Sequence, residues 1–205
     1  GLRRGDVVKV VAMFQEPIRF MSDTIRNDRP VLDMLYGTYT FVNPALAQHY
    51  GMPAVTGGAD HWVRVDNAGD YQRGGLLPMA VFLTQNAPGL RTSPVKRGYW
   101  VARRVLGEVI PPPPPVVPEL PKDEAKMDMP LRDMLAQHRK NPACAACHAP
   151  FDTFGLPIEN SGPVGEARTT DLAGRAGRPP ATCPGRRQGT GLRALPPDPP
   201  RHRGP

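Results

Sequence analysis

A proline fixes φ and carries no backbone N–H, so a chain can continue neither a helix interior nor a central strand wherever prolines crowd together. Here they crowd twice. Seven of the 27 prolines fall between Pro111 and Pro121, and eight lie in the last 34 residues. The unbroken run Pro111–Pro115, followed by Pro118 and Pro121, predicts a polyproline II strap that advances about 3.1 Å per residue and acts as a semi-rigid spacer. What precedes and follows the strap must fold as separate short pieces.

The second cluster coincides with a change in charge. From Leu172 onward there are seven arginines against a single aspartate, whereas the preceding residues are almost balanced, so the net charge of +7 belongs to the tail. A balanced body argues against nucleic acid as a partner. The tail is rich in Gly, Ala, Pro and Arg and too poor in large apolar residues to offset its ordering entropy. Residues 172–205 therefore read as disordered, or as a stretch shifted in reading frame, since those four residue types share GC-rich codons. The chain opens on Gly1 without a secretory signal, and both ends read as incomplete. No apolar run reaches the roughly 18 residues of a transmembrane helix.

Helix punctuation recurs in one form, a proline at the first position and a glycine just past the end. It marks Pro30 to Tyr36 before Gly37, Pro44 onward after the cap Asn43, and Pro94 to Gly107 after the cap Ser93. Val11 to Arg26 also has helical periodicity, with Pro17 expected to divide or kink it. Leu76 to Leu83 and Pro130 to Lys140 predict two further short helices. Trp62, Val63 and Val65 alternate weakly with polar neighbours, which predicts a minor strand near residues 60–66. The fold class is mainly α: irregular helical modules with a short β element, a polyproline strap and a small haem-binding helical segment. The expected divisions are 1–52, 53–110, the strap 111–121, a segment 122–171, and the tail.

Cys144-Ala145-Ala146-Cys147-His148 forms a CxxCH pentapeptide, the attachment pattern of a c-type haem. Two thiols one helical turn apart reach the two vinyl groups along one porphyrin edge, and the histidine that follows is aimed at the iron. On this reading Cys144 and Cys147 hold haem c covalently and His148 is the proximal ligand. Three other readings compete. Zinc could use Cys144, Cys147 and His138 or His148, but no second, well-separated ligand pair exists. A redox dithiol would follow a strand, whereas Asn141-Pro142 precedes this pair. A disulfide between cysteines three apart is strained. Cys183, in the tail, receives no role. No methionine follows His148, so the candidates for a sixth iron ligand lie upstream, His138 first with Met127, Met129, Met134 and Met79 behind it, beside a vacant or water-bound position or a ligand lost with the carboxyl end. Asp152 and Glu159 read as turn and capping groups.

Several blocks in order resemble the large planctomycete-type multidomain cytochrome c proteins. Asp33-Met34-Leu35-Tyr36-Gly37 through Asn43-Pro44 to Gly51 looks like the end of one module. Arg73-Gly74-Gly75-Leu76-Leu77, Thr92-Ser93-Pro94 to Tyr99-Trp100, the proline run, the CxxCH and Phe151-Asp152-Thr153-Phe154-Gly155-Leu156 to Asn160 look like the next. The likeness spans about residues 10 to 171. It implies an exported, mostly helical, modular protein of the periplasm or cell surface, with a redox protein or other cytochrome modules as partners. The family's closing module would begin just after Arg168, where this chain has its Arg/Pro-rich tail. Electron transfer is the leading expectation. The alternatives are a haem oxidoreductase or peroxidase-like module with an open distal site, and a helical assembly scaffold without haem.

Overall fold

The computed structural model describes residues 4–113, 117, 120–176 and 192–194. These residues are mainly α-helical and form two compact units, one reaching to Gly75 and including residues 192–194, the other running on from Leu76.

The first unit is built on α1, Arg4–Arg26. It starts earlier than the periodicity predicts and passes through Pro17 as one helix. Pro17 withholds its N–H from the preceding turn, a loss of about 3 kcal/mol in a helix interior. The buried stripe Ala12, Met13, Glu16, Phe20 and Thr24, at three- and four-residue spacing, offsets it. Phe20 stacks on Tyr39 with ring centroids 4.6 Å apart. Residues 30–32 form a turn before α2, Asp33–Tyr36, because the Asp33 N–H bonds Pro30 O only three residues back.

Strand β1, Thr40–Val42, is buried along its whole length. It pairs antiparallel with β2, Val63–Val65, placing Phe41 opposite Arg64. On the far edge of β2, backbone pairing adds β3, Leu192–Ala194, also antiparallel. Residues 53–75 belong to the first unit, since β2 pairs with β1. Between the strands α3, Pro44–His49, begins as predicted, with Asn43 Oδ1 accepting the Leu46 N–H at 2.9 Å. Of the tail, Leu192–Ala194 supply β3 and residues 172–176 complete a turn in the second unit. The rest of the region expected to be disordered or frame-shifted, Cys183 included, lies outside the described residues.

The second unit contains α4 Ala80–Gln85, α5 Pro94–Trp100, α6 Leu131–His138 and α7 Pro142–Gly155. Ser93 caps α5 by accepting the Lys96 N–H. Rather than continuing as α-helix to Gly107, the chain widens into a π-helical turn over Val101–Val105, where the Leu106 N–H bonds Val101 O five residues back. Helices α5 and α7 pack at two glycines. A Cβ on Gly98 would land on the carbonyl oxygen of Phe151, and one on Gly155 on that of Pro94.

Arg97 fastens the same crossing. Its side chain is fully buried and its guanidinium donates to the carbonyls of Ile158 and Ser161, each at 2.9 Å, and Gly162 at 2.8 Å. These acceptors sit in and just after a 3₁₀ turn, Leu156–Asn160, that follows α7 directly. The strap's described residues, 111–113, 117, 120 and 121, have no helix or strand. Its far end is tied by Arg91 Nε donating to Pro121 O at 2.8 Å. No described helix is long and apolar enough to cross a membrane.

Candidate functional site

Asn141 starts α7 by accepting the Ala143 N–H at 3.0 Å, with Pro142 in the first helical position. The CxxCH pentapeptide therefore occupies the opening turns of a real helix. Residues three and four apart share a helical face, so Cys144, Cys147 and His148 are neighbours. Both thiols are free and half-buried. Cys147 packs beside the buried cluster Ala102, Ile110 and Phe151, which anchors this face to the turn after α5.

His148 is held from three sides. Its ring lies 5.0 Å, centroid to centroid, from Phe151 and 5.0 Å from His138, the latter edge to face. Its Nδ1 is 3.1 Å from Asp152 Oδ1, one turn further along α7. The other Asp152 oxygen accepts a hydrogen bond from Arg139, just past the end of α6. Burial alone would raise the Asp152 carboxyl, but the hydrogen bonds and charges of His148 and Arg139 outweigh it and hold the group below its ordinary 3.8. An anion at Asp152 favours a proton on Nδ1, the arrangement in which a neutral imidazole would present Nε2 as its lone-pair nitrogen.

The carboxylates expected as caps are ionic partners instead. Asp152 is 5% exposed, too buried for a solvated cap, and pairs with Arg139 thirteen residues away. Glu159 lies 3.8 Å from Arg97 and 3.5 Å from Arg168 and accepts from Thr92 Oγ1 at 2.9 Å. Burial pushes the Glu159 carboxyl up despite these cations. The sequence reading missed Asp152 and Arg139 as neighbours of His148. The four-residue interval from His148 to Asp152 was the available signal, since it places both on one face once the segment is helical.

The upstream candidates are now located. Met127 is buried with Leu131 and Leu135, and Met134 packs against that cluster. Met79 is buried and Met129 half-buried. His138 is in ring contact with His148. Among the described residues no group of three or more His, Cys, Asp or Glu side chains is arranged to hold a bare metal ion.

The opening turns of α7 thus bring two free thiols and a histidine beside a carboxylate onto one face. Residues 73–171 match a family described as PSCyt3, a protein of unknown function (DUF1588), and residues 7–52 match one described as PSD4, a protein of unknown function (DUF1592). Both are domains found in planctomycete-type multidomain cytochrome c proteins. No curated protein and no solved structure matches the chain.

Proposed function

We propose that the second unit is a c-type haem-binding module that serves electron transfer in an exported multidomain protein. The observation that carries this reading is the Asp152-oriented imidazole of His148 beside two free thiols on the same helix. A haem brings four nitrogen donors of its own and asks the protein for covalent anchorage and one or two axial ligands, which suits a site without a larger ligand cluster. Cys144 and Cys147 would form the thioether links, and His148 Nε2 would meet the iron. Asp152, backed by Arg139, would hold the imidazole in place and strengthen it as a donor. When bound, the haem would supply one-electron redox chemistry at the iron.

Among the described residues His138, whose ring centroid lies 5.0 Å from that of His148, would be the candidate to offer the group a further nitrogen. The module would exchange electrons with a redox protein or with other cytochrome modules, in the periplasm or at the cell surface.

The test is to express the full chain with cytochrome c maturation machinery and treat the purified protein with acid acetone, then with alkaline pyridine. The expected result is pigment that stays with the polypeptide and the reduced spectrum of a haem with two saturated vinyl positions. Cys144→Ala and Cys147→Ala should each shift that spectrum toward a single thioether. Colourless protein, or pigment that extracts completely, overturns the proposal. Carbon monoxide binding to the ferrous form would mark an open iron face and favour a haem oxidoreductase over an electron carrier.

A further inference from the structure

A second feature of the same unit is a cleft of about 370 Å³ along one face of α5 and its π-helical extension, lined by Val95, Lys96, Tyr99, Trp100, Arg103 and Arg104, with Asn86 at one side. No carboxylate lines it. Lys96, Arg103 and Arg104 are exposed and make no ion pair with the described residues, whereas Arg97, on the buried side of the same helix, lies beside Glu159. Lys96, Tyr99, Trp100, Arg103 and Arg104 fall at the i, i+3, i+4, i+7 and i+8 spacing of a single helical face, and the π-helical turn over Val101–Val105 keeps the two arginines on it.

Charge is combined with exposed aromatic surface. Tyr99 is 41% exposed, and the Arg103 guanidinium lies over its ring, 5.8 Å from the centroid. Exposed Tyr and Arg are the residue types enriched at interface centres, and unpaired cations of one sign steer an oppositely charged partner into register. The face also leads inward. Tyr99 meets Phe151 edge to face at 6.1 Å, and Phe151 lies 5.0 Å from His148, so two ring contacts separate the exposed Tyr99 from the candidate iron ligand.

We infer that the face formed by Lys96, Tyr99, Arg103 and Arg104 docks an acidic redox protein, with the Tyr99–Phe151 contact connecting the docked surface to His148. The occupant is assigned as a protein because the cleft is open along a helix face and its charges are spread over nine residues of chain. The docking half stands on charge and exposure alone, and the redox half rests on the proposed haem site.

The experiment separates the two halves. The ¹⁵N-labelled full chain without haem is titrated at low salt with flavodoxin, an acidic electron-transfer protein. Chemical-shift changes should centre on Lys96, Tyr99, Arg103 and Arg104 and vanish in high salt. They should also vanish in the triple variant K96E/R103E/R104E, whose exposed substitutions leave the circular dichroism unchanged. Shifts elsewhere, or shifts that survive the triple variant, overturn the docking face. So does a small planar dianion such as anthraquinone disulfonate filling the cleft while flavodoxin leaves it untouched. In the haem-loaded chain the triple variant should slow electron exchange with flavodoxin at least tenfold while leaving exchange with hexaammineruthenium, a cation, no slower. Equal rates with flavodoxin would sink the redox half even if docking holds, and a chain that never takes up haem fails the earlier proposal while the docking result still stands.

Discussion

Gly98 and Gly155 meet backbone to backbone where α5 crosses α7, and a methyl group on either would strike the facing backbone, Phe151 O and Gly155 N in one case and Pro94 O and Gly98 N in the other. Both are helical glycines without a positive φ, so glycine is not required for conformation. In an open helix, alanine would gain up to about 1 kcal/mol at such positions. Here Gly98→Ala and Gly155→Ala should instead each destabilise by roughly 3 kcal/mol, because the methyl group strikes a carbonyl oxygen that cannot swing aside. Urea midpoints would show it. A stabilised variant would mean that the helices are further apart than described.

Asp152 gives a prediction in acid. Its carboxyl is depressed in the folded state, so the stability it contributes is complete above its ordinary 3.8 and is lost as pH falls through the lower folded value. Asp152→Asn should remove that acid-side loss and cost roughly 1–3 kcal/mol at neutral pH, since Arg139 loses a buried anionic partner. In haem-loaded protein the same variant should raise the midpoint potential, because a weaker acceptor at Nδ1 makes His148 a poorer donor to ferric iron. Redox titration reads the second effect, and Asp152→Glu should recover part of it.

Glu16, in the first unit, behaves in the opposite sense. Burial raises its carboxyl from 4.5 to about 7, against the opposing pull of hydrogen bonds from Thr40 and Tyr50, each at 2.6 Å, and the charge of Arg73. The folded state therefore holds a proton that the unfolded chain has released. Stability should fall as pH rises from about 4.5 to 7, by roughly 3 kcal/mol in all. Glu16→Gln should flatten that slope in chemical denaturation at stepped pH. An unchanged slope would place the titration elsewhere.

Arg97 is the most deeply placed cation in the second unit. Arg97→Ala should cost about 3–5 kcal/mol, because it leaves the Ile158, Ser161 and Gly162 carbonyls without their donor and Glu159 with Arg168 as its remaining cation. Arg97→Lys should rescue little, as one ammonium cannot match a planar fork spread over three carbonyls. Thermal melts of the two variants would differ by only a few degrees if this geometry is right.

The caps at Asn43 and Ser93 were readable because cap, proline and apolar stripe all act within a few residues. The helix carrying Cys144, Cys147 and His148 was foreseen only as a helical turn under the CxxCH pattern, although Asn141 and Pro142 supply the same local cap and proline. Elements that depend on distant partners were not. Thr40–Val42 is too short and too uniformly buried to alternate, and it becomes a strand only because Val63–Val65 lies beside it. Pro17 looked like a break because the stripe that carries α1 through it is buried only once β1 and α3 are in place. Asp152 and Glu159 looked like caps because the cations that claim them, Arg139, Arg97 and Arg168, are brought in by tertiary folding.

Because the three carbonyls that receive Arg97 all come after α7, the pentapeptide is not a portable tag. A polypeptide ending before Gly162 would enclose a guanidinium with too few acceptors, and a transplanted CxxCH helix would lose Arg139 and the glycine seat along with its surroundings. Anyone trimming this chain to the proposed haem site has to keep the residues on both sides of the motif or rebuild what they supply.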